Sequence, residues 1–442
     1  MLKPIGLRAV AAGRDALDQL PRLVTTRGSV AVLTDMVPKR RGRSELLDEV
    51  ERRLAGLETA RVVLGGREGR VHADEVTLAA AVEQCVRASC LVTVGSGTVA
   101  DIGKAVSARL GGLRHVVVQT ATSVNGFADD QSVLLVNGVK RTTPTRWPDA
   151  LIADADVLVC APPPLNLAGV GDLLAMFTAP ADWRLAHLLG MADSYSPTAV
   201  SLARRHGPRV LALAPRLAAG DPDAATEIAN VLTLSGISMG VAGTTAPASG
   251  MEHTVSHMIE MAMNRTGRDS AYHGAQVGVS TIVAAVLWSR VRERVLGRAR
   301  PHLRFPAEDE MAGTVREAFS SIDPSGEMGE ECWRLFAKKL RRWNAARASL
   351  EEQDWRAVDI AIADVVADPA ELAASLSSAG APTRFSQLDP PVAADLVRWA
   401  LAGCHLMRDR FTVADLAFFA GEWGARDVDA ALDGAASIGG GM

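Results

Sequence analysis

The sequence predicts an α/β N-terminal half followed by a mostly α-helical C-terminal half. Three observations predict it. Short β-branched runs alternate with amphipathic stretches through the first third. The alternation stops near Pro162-Pro163-Pro164, after which long Ala/Leu/Arg segments of helical period dominate. Glycine is abundant (39 residues) while aromatics make up only 4%, a balance suited to closely packed backbone and helices rather than an aromatic-rich β sandwich. Strand–helix alternation at this spacing builds a parallel sheet. The expected division is residues 1–164 and 165–442.

The elements follow in order. Ser29 to Asp35 reads as a buried strand ending in an acid, and Ser44 to Leu57 as an amphipathic helix. Ala60 to Leu64 is a second strand. Ala73 to Ala88 is a helix that Asp74 can cap. Leu91 to Val94 is a strand running into glycines, and Arg114 to Gln119 is another. The C-terminal half carries almost no strand pattern. Ala367 to Pro390, rich in Ala, Ser and Pro, reads as a loop-bearing stretch, and Gly439-Gly440-Gly441 as a frayed tail.

Composition excludes several classes. Of 442 residues, 48% are hydrophobic, enough for more than one core. Net charge is −4 with no long basic run, which disfavours nucleic acid as a partner. The clusters Lys39-Arg40-Arg41-Gly42-Arg43 and Lys338-Lys339-Leu340-Arg341-Arg342 read as solvated faces. Five scattered cysteines without a CxxC pair argue against a disulfide scaffold or zinc ribbon and fit a reducing cytoplasm. Met1 to Leu20 contains Asp15 and Asp18 and does not read as a signal peptide. No apolar run approaches the roughly 20 residues of a membrane span.

Two constellations carry chemistry. Gly95-Ser96-Gly97-Thr98-Val99-Ala100-Asp101 follows a strand and opens a helix. Glycines there let backbone approach a pyrophosphate, and a helix N-terminus offers N–H groups and positive dipole. By itself the motif is equally a tight turn. Asp35 stands where a carboxylate accepts hydrogen bonds from an adenosine ribose and repels a 2′-phosphate, favouring NAD(H) over NADP(H); a cap or turn role is the equal alternative. The second constellation is Asp172, at an apolar helix, together with His253, His257 and His273. Three of nine histidines fall within 21 positions, His253 and His257 one helical turn apart. One acid and two imidazoles make a divalent-metal site with room for substrate.

The chain resembles the glycerol-1-phosphate dehydrogenases, within the group of iron-type alcohol dehydrogenases, glycerol dehydrogenases and dehydroquinate synthases. The resemblance runs through Gly95 to Asp101, Thr122-Ser123-Val124-Asn125-Gly126, Asn137-Gly138-Val139-Lys140 and Ile152 to Leu158. It continues in Ala168 to Leu174, Ala181-Asp182-Trp183, Pro247 to His257, His273-Gly274 and Met407 to Thr412. It implies a dehydroquinate synthase-like fold, with a dinucleotide-binding α/β domain, a helical metal-binding domain and the active site in the cleft between them. It implies metal ligands Asp172, His253 and His273, with His257 beside the substrate or on a proton path. Gly95, Ser96, Gly97, Thr98 and Asp101 would hold the cofactor pyrophosphate, Thr120 and Ser123 would flank the nicotinamide, and Lys140 would meet a phosphate of substrate or cofactor.

Asn125 departs from the family, which usually has an acid there, and Ala275 replaces the usual Glu of His-Gly-Glu. An amide donates and accepts hydrogen bonds but is no general base, so the substrate pocket should differ. The expected activity is metal-dependent, NAD(P)-linked reduction of a small ketone, phosphorylated in the manner of dihydroxyacetone phosphate. Zinc is the default metal, with iron or nickel as alternatives for the same ligands. A homo-oligomer, dimer or larger, is expected. The rival readings are a dehydroquinate-synthase-like cyclase that uses NAD transiently and an inactive binding homologue.

Overall fold

The computed structural model describes residues 2–65, 71–136 and 139–442. They form two compact units. The first runs to Leu173 and resumes at Pro208–Thr244; the second comprises Leu174–Gly207 and Thr245–Met442. This division differs from a single break at 164/165. Helix Pro163–Leu174 belongs almost wholly to the first unit, and helix Pro222–Ala242 packs on strands Ala9–Gly13 and Ala150–Asp154 of the same unit.

The first unit is built on a six-stranded, all-parallel sheet. Its order is Ala9–Gly13, Ala150–Asp154, Arg114–Gln119, Cys90–Gly95, Val30–Asp35, Thr59–Leu64. Side chains alternate between faces. Val30 and Val32 join Leu17, Leu20, Leu46 and Val50 in one core, while Ala31 and Leu33 join Leu78, Ala81, Ile102 and Val106 in the other. Burial on both faces explains the continuous apolar runs of the central strands. The chain leaves Val30–Asp35 toward one side, for Thr59–Leu64, then returns to the other side for Cys90–Gly95. A switch point therefore lies between Val30–Asp35 and Cys90–Gly95, and the crevice beyond their carboxyl ends is where open α/β sheets receive ligands.

The expected elements are present, some with trimmed ends and two strands extended, to Thr59–Leu64 and Cys90–Gly95. Arg114–Gln119 is a strand over the expected residues. The helix Glu75–Cys85 starts at Asp74, whose carboxylate accepts the Thr77 N–H. The helix expected from Ser44 to Leu57 is Leu46–Arg53. Strands Ala9–Gly13 and Ala150–Asp154 and the antiparallel pair Gln131–Val136 and Val139–Pro144 add to the expected set. Asn137 and Gly138 of the sequence motif lie outside the described residues.

Within strand Arg114–Gln119, His115 is fully buried. Its Nε2 lies 3.0 Å from Thr93 Oγ1, and burial, with the charges of Lys104 and Arg146, lowers its pKa to about 3. The unfolded chain therefore takes up a proton near pH 6.5 that the folded chain refuses until about 3. Stability should fall as pH drops through that window, at up to about 1.4 kcal/mol per unit. His115→Gln should flatten this dependence in urea unfolding followed from pH 7 to pH 4; an unchanged slope would show that other groups carry it.

The second unit is helical; among its described residues the only β pairing is an isolated bridge between Arg384 and Gly441. Helix His273–Val291 is nearly all buried and contacts Met251–Arg265, Pro369–Ser378, Val413–Phe419 and Ala425–Ser437. With its continuation to Leu296 it is long and apolar enough to cross a membrane by length and composition alone, but 83% of the apolar window is buried. Its apolar character is that of a core helix.

Two smaller expectations are corrected. The Gly439–Gly441 tail is docked, not frayed: the Gly441 carbonyl accepts the Phe385 N–H at 2.8 Å, and Gly440 and Gly441 are buried. Lys339 is not on a solvated face; its Nζ is buried 2.5 Å from Asp415 Oδ1, and it donates to the His405 carbonyl. The loop-bearing stretch Ala367 to Pro390 also holds the helix Pro369–Ser378. The five cysteines are free thiols and only Cys160 is exposed.

Candidate active site

In the first unit, the glycine turn sits at the carboxyl end of Cys90–Gly95 and opens helix Gly97–Arg109. A Cβ on Gly95 would fall 2.5 Å from Val99 Cβ, and one on Gly97 2.6 Å from Val124 Cγ2, so both positions require glycine for close packing. Ser96, the N-cap, makes no side-chain capping bond, which leaves the first-turn N–H groups to the crevice. Thr120 follows the adjacent strand, with its N–H on the Gly95 carbonyl at 3.2 Å. Ser123 is buried, and its hydroxyl has no partner among the described residues. A buried unpaired hydroxyl beside a glycine turn fits a polar ligand such as a dinucleotide.

Asp35 ends its strand at the switch point, but its carboxylate is not bare. Lys39 Nζ pairs with Oδ1, and Val37 N–H donates to the same oxygen at 2.8 Å. Asp101 is turned into its own unit. Its Oδ1 lies 3.1 Å from Lys104 Nζ and its Oδ2 accepts the Val133 N–H at 3.2 Å. Burial raises the Asp101 pKa, opposed by Lys104 and, at longer range, Lys140. Lys140 lies in strand Val139–Pro144 opposite Leu135.

Lys104 was not anticipated. It is fully buried, its Nζ 2.5 Å from Asp129 Oδ1 and 2.6 Å from the Gly126 carbonyl, with the Gln131 carbonyl also against it. One ammonium thus pins the segment 126–131. Asn166 pins the other end: its Oδ1 accepts the Thr122 N–H at 2.8 Å. Gly169 lets helix Pro163–Leu174 approach, since a Cβ there would fall 1.8 Å from the Thr122 carbonyl oxygen. Asn125, between the two anchors, gives its backbone N–H to Asp172 Oδ2 at 2.8 Å and its side-chain Nδ2–H to Ser235 Oγ at 3.2 Å. Asn125 and Asp172 are therefore neighbours, both buried.

In the second unit, His253 and His257 project from helix Met251–Arg265, and His273 begins helix His273–Val291. The ring centroids lie 6.2 Å apart for His253–His257, 5.2 Å for His253–His273 and 5.3 Å for His257–His273. The helix start is anchored by Asp182, whose Oδ2 accepts the Met251 N–H at 2.8 Å and whose Oδ1 accepts the Val413 N–H at 2.9 Å. Burial and the neighbouring Glu252 charge raise the Asp182 pKa. The structure thus clusters the three histidines in one unit and the glycine turn, Thr120, Ser123, Asn125 and Asp172 in the other.

The chain thus combines a parallel sheet that carries a glycine-turned helix at its switch point with a helical unit that carries clustered histidines. A similar fold is that of a probable glycerol dehydrogenase from Sinorhizobium meliloti 1021, which aligns with TM-score 0.62 over 99% of both chains at 16% identity. Residues 11–162 match the family described as iron-containing alcohol dehydrogenase. A glycerol-1-phosphate dehydrogenase [NAD(P)+] from Bacillus licheniformis is 30% identical over 92% of this chain and 88% of its own. One from Methanothrix thermoacetophila is 36% identical over 48% of this chain and 60% of its own. The chain belongs to the glycerol-1-phosphate dehydrogenase family.

Proposed function

We propose that this protein is a metal-dependent, NAD(P)H-linked dehydrogenase that reduces a small phosphorylated ketone, dihydroxyacetone phosphate, to glycerol 1-phosphate. The observation that carries the reading is the histidine cluster of the second unit, in a chain whose family membership extends over nearly its whole length. Asp172, His253 and His273 would hold one divalent cation. Two imidazoles and a carboxylate suit zinc, iron or nickel. Bound there, the cation would supply Lewis acidity at the ketone oxygen, and the reduced nicotinamide would supply hydride.

The chain's own residues do the rest. The N–H groups at Gly95, Ser96, Gly97 and Thr98 receive the pyrophosphate. Thr120 and Ser123 orient the nicotinamide, and Asp101 acts through Lys104 to keep that segment in place. Lys140 attracts a phosphate. Asn125 orients substrate through its amide, and His257 gives up the proton the product hydroxyl needs. Residues up to Leu173 then serve mainly the cofactor and the helical unit the metal. A dimer or larger assembly in the cytoplasm, with no nucleic-acid partner, completes the proposal; light scattering and cell fractionation test those two points. The central experiment follows loss of reduced-nicotinamide absorbance with dihydroxyacetone phosphate. Metal-loaded protein that fails to oxidise NADH or NADPH with this ketone would refute the substrate.

The Asp35–Lys39 pair narrows the expected NAD(H) preference. Lys39 offsets the carboxylate and offers a cation to a 2′-phosphate. NADH and NADPH should therefore bind within about tenfold of each other, a difference of at most about 1.4 kcal/mol. Lys39→Ala bares Asp35 and should weaken NADPH relative to NADH by up to about a further fivefold, about 1 kcal/mol, the scale of one partly exposed charge pair. Titration of nicotinamide fluorescence reads both constants. An unchanged ratio would place the ribose away from these two residues.

A further inference from the structure

We propose that Glu252, Glu260 and Arg408 are positioning residues that sort the three clustered histidines by tautomer. His253 and His273 are kept as Nε2 lone-pair ligands, and His257 as an Nε2–H proton donor. The inference rests on the metal reading above and deepens it.

The sorting follows from what each Nδ1 faces. His253 Nδ1 lies 3.0 Å from Glu252 Oε1. A carboxylate only accepts, so the proton sits on Nδ1 and the lone pair on Nε2. Glu252 cannot swing away. It is fully buried, Thr178 Oγ1 donates to its Oε2 at 2.8 Å, and the Gly250 N–H donates to its Oε1. His273 Nδ1 faces Glu260 Oε1 at 3.4 Å and Ser256 Oγ at 3.1 Å; the hydroxyl can donate or accept, so the carboxylate, which only accepts, places the N–H on Nδ1. A carboxylate on the far nitrogen of a ligating imidazole fixes the ring and raises its basicity toward metal.

His257 has the opposite neighbour. Arg408 Nη2 donates to its Nδ1 at 2.7 Å. A guanidinium has donors only, so Nδ1 must be the lone pair and Nε2 must carry the proton. An Nε2–H cannot ligate a metal but can protonate a nascent alkoxide. The alternative cation set His257, Glu260 and His273, whose ligand atoms lie within 4.8 Å of one another, would place the cation beside that fixed positive charge. Two histidines one helical turn apart, identical by spacing, are thereby given different work.

The test combines metal affinity with tautomer spectroscopy on the full chain. Zn2+ affinity, measured by chelator competition, should weaken about 10- to 100-fold in Glu252→Ala and in Glu260→Ala. Glu252→Gln keeps an acceptor and should lose less. Arg408→Met should hold Zn2+ as wild type does. Nitrogen-15 spectra of histidine-labelled wild type, assigned with His257→Gln, should show His257 protonated on Nε2, and Arg408→Met should move it toward a tautomer mixture. A wild-type His257 protonated on Nδ1, or Zn2+ affinity undiminished in Glu252→Ala, overturns the sorting. Wild-type protein without tight Zn2+, iron or nickel would instead overturn the metal reading, and the metal-free spectrum still decides the tautomers.

Discussion

Replacing His253 or His273 with alanine is expected to abolish stoichiometric metal binding and to lower turnover of dihydroxyacetone phosphate about a thousandfold. A factor of that size is about 4 kcal/mol of transition-state stabilisation, the scale of losing a Lewis acid at a developing alkoxide. His257→Ala should behave differently. It should keep its metal and lose about a hundredfold or more in turnover, the range of a general acid. Elemental analysis of each purified variant, paired with steady-state kinetics, separates the two classes. Full metal content in His253→Ala would exclude it as a ligand, and metal loss in His257→Ala would assign that role one turn later. The contrast matters because spacing alone makes the two residues equivalent: both face the same side of helix Met251–Arg265.

What distinguishes them lies far away in the chain. Arg408 is 151 residues from His257. Its stretch, Met407 to Thr412, was readable as a motif but not as a partner of a particular nitrogen. Glu252 precedes His253 directly, and neighbours along a helix ordinarily point about 100° apart, so the pairing is not a periodicity signal. It arises because Glu252 lies in the first turn and folds back to the Gly250 N–H. By contrast, the parallel strands were legible because a strand buried on both faces must be a nearly unbroken apolar run, as Val116-Val117-Val118 is. The edge strand Ala9–Gly13 is alanine-rich with alternate residues exposed, and the same local signal suits a loop or a helix start.

Charged residues were misjudged for one reason. Sequence marks a lysine as solvated unless a partner is known, and the partners here come from elsewhere in three dimensions. Lys339 meets Asp415 across 76 positions; Lys39 differs, since its partner Asp35 stands only four residues earlier, at the end of the strand. Helical spacing does relate Asp101 to Lys104, but only the fold brings Asp129 and the Gly126 carbonyl to the same ammonium.

That ammonium carries the last expectation. Lys104→Met should destabilise the protein by about 3–5 kcal/mol, the usual result of removing one member of a buried charge cluster. Asp129 would lose the cation beside it, Asp101 would keep only the influence of Lys140, and the Gly126 carbonyl would lose a donor. The pH dependence supplies an internal check. Burial already raises Asp101, and raises Asp129 to about 7, even with Lys104 present. Without Lys104 both should rise further, so the folded variant binds protons that the unfolded chain has released above its ordinary carboxyl range. Protonation then favours the folded state, and the deficit should shrink as pH falls from 8 toward 5. Adding Asp129→Asn to Lys104→Met should recover part of the loss by removing one buried acid. Urea midpoints of the three proteins at both pH values measure this. A Lys104→Met protein within about 1 kcal/mol of wild type at pH 8, well below the usual cost of orphaning a buried charge, would mean that the segment from Gly126 to Gln131 is held by its packing and not by its ion cluster.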